Sequence, residues 1–191
     1  LNVISNGNAN AIVGNGNAIG NGNLNTDDGN GNGILGSENG ILGSQNTVAG
    51  NKNYLEGNSN LVGGNVNSVW GSNNNIIGDL NGVKGNQNYL QGSANSVIGN
   101  SNGVLGNQNQ LVGNQNAVAG NQNIVGGSYN GIMGSQNLVN GNQNFVNGNS
   151  NGVIGSQNLI GGSQNAIQGN QNAIGGNQNI IKGDVNSVLG N

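Results

Sequence analysis

The chain repeats a seven-residue pattern in which positions restricted to a few polar or aliphatic residue types alternate with variable positions. From Gly29 to Gly190 a glycine recurs every seven residues without interruption, which gives 23 consecutive heptads. Counted from this glycine, position 2 is Asn, Ser or Asp, position 4 is always Asn, and position 6 is always Val, Ile or Leu. Restricted positions 2, 4 and 6 therefore alternate with variable positions 3, 5 and 7, which is the period of a β-strand.

This alternation restarts at each glycine, so the pattern predicts short strands separated by regular turns. Glycine suits these turns because it adopts positive φ without steric cost. A helix is rejected because one glycine per heptad and abundant asparagine both disfavour it. Asn-Gly pairs such as Asn39-Gly40 are typical of hairpins, but their glycines fall at variable position 5, where Ile124 also occurs. Unbroken phase over 161 residues argues against a disordered tract.

The sequence therefore predicts an all-β fold, a parallel β-solenoid (β-roll) with two heptads in each 14-residue coil. Three heptads per coil would enclose a triangular interior that Asn, Ser and Val are too small to fill. The restricted positions are expected to face inward, where stacked asparagines pair amide with carbonyl from coil to coil. The predicted structural ladder comprises Asn32, Asn46, Asn60, Asn74, Asn88, Asn102, Asn116, Asn130, Asn144, Asn158, Asn172, Asn186, Val118, Val125 and Ile132.

The N-terminal segment departs from the seven-residue period. Residues 1–28 are expected to form irregular coils and residues 29–191 a regular solenoid, together one continuous domain. The stretch Asn23–Asp28 is expected to bulge from the coil. Asp27 and Asp28 there could contribute oxygen ligands to calcium, although a solvated loop is the simpler interpretation.

Composition and charge exclude several classes of function. A net charge of −3, with three lysines and no arginine, excludes an electrostatic nucleic-acid binder and a polybasic membrane anchor. No apolar run approaches the roughly 20 residues that span a bilayer. Histidine and cysteine are absent and the acids are scattered, so no nucleophile–base pair or soft-metal site is expected. The sequence thus predicts a protein that is not an enzyme and has no cofactor.

Rewritten as x-x-N-x-V-x-G, the heptad resembles the repeat of the ice-recrystallisation-inhibition proteins of grasses, as in Gln115–Gly120. The resemblance covers nearly the whole chain. It implies a left-handed β-roll with two heptads per coil, inward Asn and Val, and flat faces of which one binds ice. It also implies outward Thr and Ser at positions 5 and 7, and position 5 here carries only Thr47, Ser68, Ser96 and Ser187 of these types. Trimeric autotransporter adhesin heads, with a related heptad, are similar as well.

The outward positions 5 and 7 are rich in large apolar side chains whose volumes are correlated. Where position 5 is Gly33 or Ser68, position 7 is Leu35 or Trp70, and the reverse also occurs. Packed surfaces conserve volume in this way, and long apolar strips mark interaction sites, although drift in a low-complexity repeat is an alternative. The predicted assembly face comprises Leu35, Trp70, Leu105, Ile124, Met133, Phe145, Ile154 and Leu159.

The chain stops two residues into a new heptad, without a capping helix or a charged coil. Open solenoid ends pair with other chains, so we expect either a piece of a longer repeat protein or end-to-end stacking. The leading hypothesis is an extracellular or cell-surface structural or adhesive solenoid that assembles with copies of itself, laterally, end to end or both, into a filament or surface fibre. Ice binding, with the ice surface as partner, is the alternative, and a receptor-binding trimeric head is a third hypothesis.

Overall fold

The computed structural model describes residues 1–5, 7–20 and 22–191. Over these residues it contains 27 strands of three residues each, and no helix long and apolar enough to cross a membrane. In chain order β1 to β27 the strands are Val3–Ser5, Ala11–Val13, Ala18–Gly20, Thr26–Asp28, Gly33–Leu35, Gly40–Leu42, Thr47–Ala49, Tyr54–Glu56, Leu61–Gly63, Ser68–Trp70, Asn75–Ile77, Gly82–Lys84, Tyr89–Gln91, Ser96–Ile98, Gly103–Leu105, Gln110–Val112, Ala117–Ala119, Ile124–Gly126, Gly131–Met133, Leu138–Asn140, Phe145–Asn147, Gly152–Ile154, Leu159–Gly161, Ala166–Gln168, Ala173–Gly175, Ile180–Lys182 and Ser187–Leu189.

The chain divides into two compact units, Leu1–Asn95 and Ser96–Asn191. Within each unit the odd-numbered strands form one parallel sheet and the even-numbered strands form another, each in chain order. Successive strands thus alternate between two sheets, and each coil contributes one strand to each. The predicted all-β parallel solenoid is confirmed.

The register shows that two heptads make one coil. Val118 of β17 lies opposite Val104 of β15 on one side and Ile132 of β19 on the other. These partners are 14 residues apart, which confirms the predicted coil length. Each aliphatic position 6 therefore stacks on the position 6 of the next coil in the same sheet, and these side chains, from Ile19 to Ile174, are at most 3% exposed.

The heptad glycine is required by a turn and by a close approach of two backbones. At Gly113 φ is +141°, and a methyl group there would overlap the carbonyl oxygen of Gly127 in the next coil. Position 3 also lies in the left-handed region, with φ of +57° at Gln115 and +59° at Val66. Side chains other than glycine adopt this conformation at a cost of about 1–2 kcal/mol. The variable composition of position 3 gave no indication of this conformation.

The predicted bulge at Asn23–Asp28 is wrong. Thr26–Asp28 is strand β4, which pairs in parallel with both β2 and β6. Asn25 is buried at an ordinary ladder position and donates to the Gly36 carbonyl at 2.8 Å. The 15-residue spacing between Ala11 and Thr26, one longer than the regular coil, shows where the period departs. Residue 21 falls within this spacing, and residues 6 and 21 both lie outside the described residues.

Candidate functional site

The position-4 asparagines form the ladders that hold adjacent coils together. The amide of Asn116 donates to the side-chain oxygen of Asn102 at 3.0 Å and to the Gly127 carbonyl at 2.9 Å. The oxygen of Asn116 in turn accepts the side-chain amide and the backbone N–H of Asn130, at 3.1 and 3.0 Å. A buried carboxamide is stable only when its polar atoms are hydrogen-bonded, and this arrangement uses both ends of the group. Asparagine therefore fits an interior position that is otherwise aliphatic.

The predicted ladder residues fall into regular stacks. Asn32, Asn46, Asn60, Asn74, Asn88, Asn102, Asn116, Asn130, Asn144, Asn158 and Asn172 are buried, as are Val118, Val125 and Ile132. Asn186 is half-buried and donates to Asn172 at 2.9 Å. Val118 and Ile132 belong to odd strands and Val125 to an even one, so they line opposite walls of the interior.

Position 2 does not face inward as its restricted composition had indicated. It lies in the turn, where its side-chain oxygen accepts the backbone N–H of position 2 in the preceding coil. Asn51 donates in this way to Asn65 at 2.9 Å, and Asn65 donates to Asp79 at 2.7 Å. Only a short side chain with an acceptor oxygen can reach that N–H, which explains the restriction to Asn, Ser and Asp. Buried or turn N–H groups must be paired, and here a side chain supplies the partner.

Outward side chains at positions 5 and 7 form two separate surfaces in each unit. We call them the odd-strand face and the even-strand face, after the strands that carry them. The predicted assembly residues are divided between these surfaces and do not share one. Leu35, Leu105, Met133, Phe145 and Leu159 lie on odd-strand faces, and Trp70, Ile124 and Ile154 lie on even-strand faces.

Some bulky outward side chains cover glycines of the preceding coil. Phe145 lies so close to Gly131 that a Cβ there would be 3.2 Å from the Phe145 ring. Leu35 covers Gly20 in the same manner, with a corresponding distance of 3.3 Å. This packing explains part of the volume correlation within the chain, whereas other strand glycines such as Gly103 have no atom within 4 Å of an added Cβ.

Charge is distributed unequally between the two faces. Among the described residues, the outward charged side chains on strands are Asp28, Glu56, Lys84 and Lys182, and all four belong to even strands. The other exposed charges lie in turns, where Lys52 pairs with Glu38 at 3.8 Å. No charged side chain is present on the odd-strand face of either unit within the described residues.

The odd-strand faces carry two rows of side chains on a regular lattice. Positions 5 and 7 are separated by about 6.6 Å along a strand, and successive coils by about 4.8 Å. Apolar groups such as Ile77 and Leu105 alternate with small residues and with hydrogen-bonding groups such as Thr47 and Asn147. The backbone beneath is held from coil to coil by the hydrogen-bonded ladders.

Asp27 occupies an interior aliphatic position, which the sequence did not reveal. It is 1% exposed and lies between Ile12 and Ile41 in β4's sheet. Its Oδ1 accepts from Asn32 at 2.7 Å, whereas its Oδ2 has no partner. Burial raises the pKa of this carboxyl, the Asn32 hydrogen bond opposes the change, and the Asp28 charge adds to it.

Asp27 and Asp28 cannot act together as calcium ligands, because they point to opposite sides of one strand. Asp27 is buried and Asp28 is exposed. Among the described residues, no group of three or more His, Cys, Asp and Glu side chains could hold a metal ion. The interpretation as a solvated loop is also wrong for Asp27.

Comparison with known proteins agrees with this geometry. The model of the grass antifreeze β-roll family matches residues 1–99 and 81–191, two overlapping segments that together cover the chain. No curated protein sequence matches the chain. The resemblance to the grass ice-recrystallisation-inhibition repeat is thus confirmed, and both the coil length and the inward asparagines are those the resemblance implied. The chain belongs to the grass antifreeze β-roll family.

Proposed function

We propose that the protein binds ice through the odd-strand face of its coils. The observation that carries this proposal is the restriction of strand-borne outward charge to the even-strand faces. The family match supports ice binding. It does not support filament formation, which is the leading hypothesis from the sequence alone. Packing of Leu35 over Gly20 and of Phe145 over Gly131 also accounts for part of the volume correlation without a second chain.

Absence of charge favours contact with ice for a physical reason. A lysine ammonium or a carboxylate holds its own hydration shell, and displacing or reordering that water is costly. Uncharged groups impose no such shell. Apolar groups restrict the orientation of adjacent water, and scattered amides and hydroxyls such as Asn147 and Thr47 anchor it by hydrogen bonds.

Regularity of the surface is the second requirement. Ice is a crystal, so a binding surface must hold water at repeating positions over several coils. The stacked strands repeat at about 4.8 Å, and the hydrogen-bonded ladders prevent individual coils from shifting. A rigid surface also loses little conformational entropy when it binds.

This function involves no catalysis, and ice adsorption requires no cofactor. The protein would act where ice crystals grow, which places it outside the cell or at the cell surface. Its partner is the ice surface, contacted by the odd-strand faces.

A pair of matched substitutions tests which face binds. Ala117 on β17 and Ala166 on β24 are both exposed alanines at position 5 of the second unit, one on the odd-strand face and one on the even-strand face. We expect Ala117→Lys to lose most of the ice-recrystallisation inhibition and thermal hysteresis of the unmodified protein. Ala166→Lys should retain both activities, because it adds the same charge to a face that already carries Lys182.

The measurements use equal protein concentrations, and circular dichroism melts confirm that both variants fold. If Ala166→Lys loses activity and Ala117→Lys retains it, ice binding belongs to the even-strand face. If the unmodified protein neither shapes ice crystals nor slows their recrystallisation, ice binding is wrong altogether.

A further inference from the structure

The even-strand face of the first unit carries an aromatic cluster that ice binding does not use. Trp70 of β10 and Tyr54 of β8 have ring centroids 5.9 Å apart with planes inclined at 52°. Both rings remain open to solvent, with 42% of Trp70 and 43% of Tyr54 exposed. Large aromatic rings that stay accessible on a rigid sheet supply contact area without loss of conformational freedom.

Opposite charges flank the indole ring. Within the sheet, Trp70 is directly in register with Glu56 on one neighbouring strand and with Lys84 on the other. Each neighbour is about 4.8 Å away at the backbone. These three side chains line a surface recess of about 430 Å³.

Small residues leave space beside the recess. Gly82 is in register with Ser68, and a methyl group built on Gly82 would meet no other atom within 4 Å. On the other side the Tyr54 ring lies over Gly40. The result is an open recess lined by one aromatic ring and two charged, hydrogen-bonding side chains.

The rim defines the chemistry of a ligand. A carboxylate only accepts hydrogen bonds, and an ammonium group only donates them. Glu56 opposes an anionic ligand and Lys84 opposes a cationic one, so the pair favours a neutral molecule that both donates and accepts. Hydroxyl groups do both, and a sugar ring combines several of them with an apolar C–H face that fits against indole.

We propose that Trp70, flanked by Glu56 and Lys84, forms a binding site for a neutral saccharide on the even-strand face. The indole ring stacks against the pyranose, Glu56 accepts from its hydroxyls, and Lys84 donates to them. The site lies on the even-strand face, so with ice on the odd-strand face, as proposed above, one solenoid can hold ice on one side and a polysaccharide on the other. The saccharide site goes beyond ice binding and does not depend on it.

Trp70 is the only tryptophan in the chain, so its fluorescence reports on this site directly. Titration with cellopentaose, xylopentaose and laminaripentaose should give a saturable change in emission for at least one of them. Isothermal titration calorimetry with that saccharide then compares all variants, because Trp70→Leu lacks the fluorophore. We expect Trp70→Leu to weaken binding about tenfold or more, and Glu56→Gln or Lys84→Gln to weaken it by a similar factor, as for loss of a hydrogen bond to a charged group.

Tyr89→Leu is the matched control, because Tyr89 is a comparably exposed aromatic residue on the odd-strand face. It should bind saccharide like the unmodified protein, and all variants should show unchanged circular dichroism melts. The proposal is overturned if none of the three neutral saccharides gives a saturable response, or if only charged polysaccharides such as heparin bind. Equal binding by Trp70→Leu, or binding of a polypeptide alone, also overturns it.

Discussion

The side-chain amide of Asn116 donates a 3.0 Å hydrogen bond to the side-chain oxygen of Asn102, one coil earlier. The same oxygen accepts the backbone N–H of Asn116, also at 3.0 Å. The oxygen of one ladder asparagine therefore pairs both the backbone N–H and the side-chain amide of the asparagine one coil later. The arrangement allows a thin solenoid with few large apolar residues to remain ordered, because its buried polar groups are satisfied rather than excluded.

Replacing one ladder residue should be costly because its neighbours lose partners. We expect Asn116→Ala to lower the free energy of unfolding by about 1–3 kcal/mol, the cost of leaving buried polar groups unpaired. Asn147→Ala, at an exposed outward position, is the control and should change stability by less than about 0.5 kcal/mol. Urea or thermal unfolding measures both, and equal effects would contradict the role of the ladder.

A charge in the ladder should be worse than a truncation. Asn116→Asp removes two donors and places a carboxylate oxygen beside the Gly127 carbonyl, which can only accept. At neutral pH we expect a greater loss of stability than in Asn116→Ala, and partial recovery in acid as the carboxyl is protonated. Unfolding curves at neutral and acidic pH test this, and a stability independent of pH would contradict it.

Glycines at position 1 of the heptad and glycines within the strands should respond oppositely to replacement by alanine. Gly113→Ala introduces a methyl group that overlaps the Gly127 carbonyl at a φ of +141°, and we expect a loss of several kcal/mol or failure to fold. Gly103→Ala adds a methyl group with no other atom within 4 Å. It should be neutral or stabilise by up to about 1 kcal/mol, because alanine restricts the unfolded chain. Thermal melts distinguish the two, and a tolerated Gly113→Ala would contradict the close backbone approach.

Strain at position 3 can be relieved. Val66 has φ of +59°, a conformation that a β-branched side chain adopts rarely and asparagine more readily. We expect Val66→Asn to raise the free energy of unfolding by about 1 kcal/mol. Val112→Asn, at an exposed strand position, should be neutral or destabilising, because asparagine is disfavoured in strands. Stabilisation of both variants would show that the effect is not one of backbone conformation.

Stability of the N-terminal coils should depend on the ionisation of Asp27. Because burial raises the pKa of this carboxyl in the folded state, the folded protein binds the proton more tightly than the unfolded chain does. The free energy of unfolding should therefore fall as pH rises from the ordinary carboxyl range through the raised pKa, and should recover on acidification. Hydrogen exchange in β4 and its neighbours, followed against pH, measures this change.

Asp27→Leu should abolish that pH dependence and stabilise the protein at neutral pH by about 1 kcal/mol, since it removes an unpaired buried oxygen. Asn32 keeps its hydrogen bond to the Gly43 carbonyl in this variant. Asp28→Asn serves as the control, because Asp28 is exposed, and should leave most of the pH dependence in place. An unchanged pH profile in Asp27→Leu would contradict the assignment.

The division of the outward residues between two faces was not predicted, because the sequence pattern was interpreted as a single outward surface. Trp70 and Leu35 follow the same heptad rule, yet they lie on different faces, because successive heptads alternate between two sheets. Sorting the outward residues by odd and even heptads, which the predicted coil length already permitted, would have separated the charged surface from the uncharged one.

The sequence by itself determined the strands, the coil length and the inward Asn and aliphatic stacks. These features follow from the spacing of glycine and from side chains that alternate over a few neighbouring residues, and such patterns are local. Only the tertiary structure decided what position 2 binds, which conformation position 3 adopts, and that Asp27 is buried. Each of those depends on a partner one coil away: the N–H that Asn65 accepts, the Asn100 carbonyl to which the Gln115 N–H donates, and the isoleucines on either side of Asp27.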